Sequence, residues 1–130
     1  MHTRVTAALT LTLTAAAVVG CAKTPKDRLQ GRWLGESVEN ISAAQVDRVT
    51  GWVKGTAIEF SGSKATVTIP AESPRTGMFK VSRVQGERVM VSFLRPEGGS
   101  DEAEFRFAGD QTLRWNIGNG REIVLQKEKN

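Results

Sequence analysis

Glu102-Ala-Glu-Phe-Arg-Phe-Ala-Gly-Asp-Gln-Thr-Leu-Arg-Trp-Asn-Ile117 decides the fold. Phe105 and Phe107 alternate with Glu104 and Arg106, and then Leu113, Trp115 and Ile117 alternate with Arg114 and Asn116. A period of two sends successive side chains to opposite faces of a strand. Two neighbouring strands must bury their apolar sets on one face, because a one-residue slip turns one set out to water. Paired residue numbers must therefore sum to an even value. A three-residue loop or a bulge at Ala108-Gly109-Asp110 meets this condition, and one such register sets Glu104 opposite Arg114 on the outer face.

The pattern repeats on both sides. Ile123 and Leu125 resume it after Gly118-Asn119-Gly120. Upstream, Gly31 to Val38 carries Trp33, and Thr56 to Phe60 stops at Ser61-Gly62-Ser63. Lys64 to Ile69 sets Ala65, Val67 and Ile69 on one face, and Thr76 to Val84 meets Glu87 to Leu94 across Gln85-Gly86. These make about eight short strands with tight turns. The fold class is mainly β: an antiparallel up-and-down meander, which at this strand number closes into a small barrel without exposed edges. Trp33, Phe105, Phe107 and Trp115 are its expected structural core.

One helix interrupts the meander, between strands one and two. Ser42 and Gln45 have capping-box spacing, and Val46, Val49 and Val53 recur on one stripe with Trp52 at its edge. The expected span is 42–54, with Gly55 as the stop. Trp33 lies near the start of strand one and would close one end of the barrel, so the helix, which follows the end of that strand, is expected at the other mouth, near Glu36, Ser37 and Arg121. Val46, Val49, Trp52 and Val53 are then ligand-facing or cap residues, in a fixed plug or in a lid that Gly51 and Gly55 leave free to move. Gly35 and Ser37, small and inward by parity, leave room at that end. An interior filled by Trp33, Phe60, Phe79, Phe93, Phe105, Phe107 and Trp115 has no room for a ligand.

The chain of 130 residues opens differently. Arg4 precedes an apolar run from Val5 to Val19, broken only by threonines, and small residues follow. These are the parts of a secretory signal, and the run is shorter than the roughly 20 residues of a membrane span. The chain has one cysteine, Cys21, which leaves no internal disulfide to form.

Val18-Val19-Gly20-Cys21 resembles the lipobox of bacterial lipoproteins. The resemblance implies cleavage between Gly20 and Cys21, lipid attachment at Cys21, including an acyl chain such as palmitate, and anchoring in the bilayer through that cysteine. An ordinary signal peptide with a chance cysteine is the alternative. Ala22 after the cysteine, by likeness to lipoprotein sorting, implies the outer membrane, facing the periplasm. The chain then divides into a signal peptide at 1–20, a lipidated cysteine and tether at 21–28, and a β-barrel domain at 29–130. Removing the signal takes away Arg4 alone among charged residues, so 18 Lys+Arg become 17 against 14 Asp+Glu.

Gly31-Arg32-Trp33 ahead of a β meander resembles the Gly-x-Trp signature of lipocalins, and 29–127 looks like the small lipocalin-like domains of bacterial lipoproteins. In that family the tryptophan closes one end of the barrel and an arginine late in the last strand packs over it. Lys127 holds the corresponding position here, on the inner face by parity with Ile123 and Leu125.

Little else carries chemistry. The histidine, His2, lies in the signal and there is no tyrosine. That removes histidine-based nucleophile systems and nitrogen or sulfur metal sites from the mature chain. Glu36 and Glu39, near one end of the first strand, can meet in space as a carboxylate pair for glycoside chemistry, and Asp101, Glu102 and Glu104 can offer oxygens to calcium without a calcium loop's spacing; solvated surface charge is the favoured reading of both. Lys23, Lys26 and Arg28 read as solvating charges, with anionic headgroups as the alternative. Acids and bases are mixed along the chain, unlike a nucleic-acid footprint. The expectation is a non-enzymatic envelope protein without metal or cofactor. It binds a small apolar molecule or an envelope partner, or else is a purely structural lipoprotein with a filled barrel.

Overall fold

The computed structural model describes residues 23–129. The signal segment 1–20, the cleavage site at Gly20 and the lipid site at Cys21 lie outside the described residues.

The meander closes. Its strands are β1 (Gly31–Glu39), β2 (Ala57–Ser61), β3 (Lys64–Thr68), β4 (Arg75–Gln85), β5 (Arg88–Leu94), β6 (Ser100–Phe107), β7 (Thr112–Gly118) and β8 (Arg121–Lys127). Each pairs antiparallel with the next, and β8 pairs back to β1, giving a closed eight-stranded barrel. A 3₁₀ turn (Ala43–Gln45) and helix α2 (Val46–Val53) lie between β1 and β2, as the valine stripe predicts.

A further helix, α1 (Pro25–Leu29), stands where a tether was expected through residue 28. Thr24 and Asp27 cap each other, with proline at the first helical position. This turn seals one end of the barrel. Leu29 is buried, and its carbonyl accepts from the Trp33 indole at 2.8 Å. Lys26 donates to Ser63 at 2.6 Å, and Gln30 exchanges two hydrogen bonds with Gly62. Arg28 lies 4.0 Å from the Phe107 ring centroid and pairs with Glu87 at 3.0 Å. The α1 residues thus reach the β2–β3 and β4–β5 turns at one end. Lys127 sits opposite Trp33 in the β1–β8 register, its ammonium 5.4 Å from the ring. That is the placement the Gly-x-Trp resemblance implies.

Trp33, Phe60, Phe79, Phe105, Phe107 and Leu113 pack the sealed half. Trp33 and Phe105 are wholly buried and Phe107 nearly so, as their alternation predicts. Trp115 differs: it is half-buried and packs against the core from its edge.

Register departs from expectation where glycines and bulges intervene. Phe107 pairs with Leu113 and Phe105 with Trp115, so Glu104 faces Asn116 rather than Arg114. The sum stays even. The three-residue loop is Gly109 to Gln111, one residue later than expected, because Ala108 bonds back to Thr112. A bulge between Asn116 and Gly118 breaks the alternation in β7, and Ile117 turns out to solvent at 43% exposure. A second bulge, between Gly35 and Ser37, shifts parity in β1, so Val38 rather than Ser37 packs on the core opposite Ile123.

Gly35 also leaves no free space. A Cβ there would collide with the Val53 carbonyl oxygen, because the end of α2 passes directly over it. The amide of Gly35 donates to Thr56 at 2.8 Å, fixing that crossing. Val53 is fully buried and Val49 partly so, against the core. The helix is therefore clamped along β1, the strand it packs against.

On the outer face Arg88, Arg106 and Arg114 stand side by side across β5, β6 and β7. Like charges directly opposite destabilise a sheet. Glu122 offsets them, 2.9 Å from Arg106 and 3.6 Å from Arg114, and Glu39 pairs with Arg114. The hydrogen bond from Arg114, with the nearby positive charges, holds the Glu39 carboxyl below the usual carboxylate range against a weaker opposing effect of burial.

Two predictions follow from these contacts. Because the folded Glu39 value is depressed, its stabilisation is present above the unfolded value near 4.5 and is lost as pH falls through the folded one. Urea midpoints of wild type and Glu39→Gln should differ at neutral pH and converge in acid. The gap should stay below about 1 kcal/mol for so exposed a pair. A gap that widens in acid would contradict the assignment. For the clamp, Gly35→Ala should cost about 1–3 kcal/mol or more through overpacking against backbone. Gly51→Ala in α2, with open space around it, should stabilise by about 0.5–1 kcal/mol. The same melts measure both.

Candidate functional site

The other half of the barrel is open. A cavity of about 990 Å³ enters from the end opposite α1. That lies at the upper end of ligand-pocket sizes, roughly 300–1,000 Å³. Strand parity builds its walls: Ile58 from β2, Ala65 and Val67 from β3, Phe93 from β5, Ala103 from β6 and Trp115 from β7. Small residues at 65 and 103 leave the space that aromatic residues fill lower down.

A buried aromatic cluster adjoins these walls. Phe60 meets Phe79 edge-on at 4.9 Å between centroids, and Phe93 and Phe105 each lie 6.3–6.4 Å from Phe60. Phe105 stacks on Trp115 at 5.8 Å. These contacts tie the rings of the sealed half to the wall residues Phe93 and Trp115. Among the described residues no buried side-chain polar atom lacks a partner, so the packed half carries no orphaned group.

The rim comes from loops. The segment after β3 supplies Ile69, Glu72 and Ser73, and the β5–β6 connection supplies Arg95, Pro96 and Glu97. Arg95 pairs with Asp101 at 3.1 Å, which braces that loop against the start of β6. Among the described residues, no three His, Cys, Asp or Glu side chains gather as a metal site would need.

The expected cap does not cover this mouth. Val46, Val49, Trp52 and Val53 are absent from the cavity lining. Val49 and Val53 pack toward the core along β1, while Val46 and Trp52 are 40% and 42% exposed. The physical reason is the β1–α2 crossing at Gly35, which holds the helix to one side. The expectation of an aromatic-filled interior holds for the α1 half and fails for the open half. Phe93 and Trp115, assigned to that filling, are instead wall residues. The rim residues Glu72, Arg75, Arg95 and Glu97 were not expected at a site. Their signal was their place in loops on the same side of every hairpin.

In comparisons with known proteins the chain matches no family model, and no curated protein matches it. Among solved structures it is similar to the crystal structure of a lipocalin-like protein from Bacteroides uniformis, with a TM-score of 0.45 and 14% sequence identity. That alignment covers 78% of this chain and 99% of the other.

Proposed function

We propose that this chain is a non-catalytic binding protein of the bacterial cell envelope that holds a small apolar molecule in the open half of its barrel. The cavity carries the reading: about 990 Å³, walled by Ile58, Val67, Phe93 and Trp115 and lying toward the end of the barrel opposite α1. A purely structural lipoprotein with a filled barrel would not need it. Apolar surface held open to water favours an apolar occupant, by about 25 cal/mol for each Å² covered.

The lipobox resemblance supports an anchor at Cys21, in the outer membrane facing the periplasm. With lipid on that cysteine, α1 is the nearest folded element. Three residues separate Cys21 from Pro25, a reach of about 10–14 Å. The sealed end would then face the bilayer and the open mouth the aqueous side. A ligand would pass between the cavity and the periplasm, or to an envelope partner docked at the mouth, rather than straight from the membrane.

Titration with the neutral fluorophore N-phenyl-1-naphthylamine tests the cavity. Emission should rise and saturate near one probe per chain. Ala103→Trp, which places a large ring in the cavity from the wall position paired with Val91, should weaken binding at least about tenfold while the variant still melts cooperatively. No enhancement, or enhancement that ignores Ala103→Trp, would refute the reading. The anchor is tested separately: Cys21→Ser should abolish labelling by radioactive palmitate and shift the protein out of the membrane fraction. Normal labelling and fractionation of that variant would exclude Cys21 as the lipid site.

A further inference from the structure

Strand parity sends Glu102 and Glu104 to the outside of β6, as it does Asn116 on β7. All three nevertheless line the cavity. The register explains why. β6 pairs with β5 as far as Ser100, and β7 pairs with β8 as far as Gly118. Between β6 and β7, however, the ladder ends at Glu104–Asn116. The bulge at Ile117 turns β7 aside, and the Asn116 side chain accepts from the Gly118 amide at 2.8 Å to hold the turn. The two strands part above that pair. The cavity therefore opens sideways through a slot, with Trp115 in the wall below and two carboxylates along one edge.

The charge around this opening is lopsided. Glu72, Glu97, Asp101, Glu102 and Glu104 face Arg75 and Arg95, and Arg95 is already engaged by Asp101. The whole chain has a formal charge of +4, so the negative mouth is not a reflection of composition. Glu104 accepts from Asn116 at 2.7 Å and Glu102 from Ser92 at 3.4 Å, which orients both groups and leaves each with further acceptor capacity. Carboxylates at the lip of a concave apolar site focus their field into it. The indole face of Trp115 attracts cations as well.

We infer that the cavity selects a single-chain amphiphile with a cationic head. Its tail lies against Ile58, Val67 and Phe93, and its head rests in the β6–β7 slot beside Glu102, Glu104 and Trp115. An anionic head of equal tail length meets repulsion at the same place. The inference rests on the cavity-binding reading and adds the chemical class of the occupant.

Displacement of bound N-phenyl-1-naphthylamine by decyltrimethylammonium, decanol and decanoate, each below its micelle concentration, tests it. The ammonium compound should compete at least about tenfold better than decanoate, with decanol between them. The ratio should shrink in high salt, which screens exposed charges. The double variant Glu102→Gln/Glu104→Gln should narrow the ratio, whereas Glu128→Gln, at the sealed end, should leave it as it is. Equal competition by all three, or a decanoate advantage, would overturn the headgroup preference while the cavity reading stands. Failure of the fluorophore itself to bind would overturn both.

Discussion

Gly35 and Ser37 of β1 meet Leu125 and Val124 of β8 across a bulge, in the ladder that joins the two ends of the meander. Without that ladder β1 and β8 would be edge strands, each with a row of unpaired backbone groups and one face of apolar side chains. With it, Trp33 is set against Lys127 and enclosed on every side. The ladder also fixes the course of the chain beyond β1. The missing Cβ at Gly35 gives the end of α2 room to cross β1, which holds the helix to that side of the barrel. An open mouth is a consequence of closure with this register, since a helix pinned along β1 is not free to lie across the end.

The two ends are built on different principles. At the sealed end a five-residue helix, far too short to be stable alone, is held by contacts to two separate hairpin turns and by the Trp33 indole. Large rings fill the space beneath it. At the open end the same inward strand positions carry alanine and valine, and the hairpins lengthen into loops bearing charge. Packing is thus concentrated in the sealed half. The other half keeps a void, whose cost in lost packing falls on walls braced by the adjoining aromatic cluster.

Much of this was legible in the sequence. Alternation at 102–107 and 113–117 dictated strands, a shared face and an even register, and the count of such segments dictated a closed meander. Three features were not legible, each for a physical reason. Parity arguments assume unbroken strands, so the bulges at Gly35–Ser37 and Asn116–Gly118 reversed the facing of Ser37, Val38 and Ile117. The loop after Phe107 admits two even registers, and side-chain period alone does not choose between Glu104–Arg114 and Glu104–Asn116. The α1 turn lacked an apolar stripe, having only Leu29 to bury. Its signal was there in Thr24-Pro25-Lys26-Asp27, a cap with proline at the first helical position, but proline near a terminus reads equally as a tether.

The candidate site lay hidden for a related reason. Phe93, Ala103 and Trp115 carry the inward parity of core residues, and pattern alone does not say whether an inward position meets another side chain or empty space. That depends on the sizes of residues opposite, which belong to other strands. Glu102 and Glu104 carry outward parity and so read as solvated surface. They reach the cavity because β7 leaves β6 at the Ile117 bulge. One local break of the alternation rule therefore exposes an apolar isoleucine, parts two strands and brings carboxylates to the edge of an apolar cavity. Register breaks at Gly35–Ser37, Val81–Arg83 and Asn116–Gly118 interrupt the period among the described residues, and the last of them lies beside the cavity, where the proposed ligand would enter.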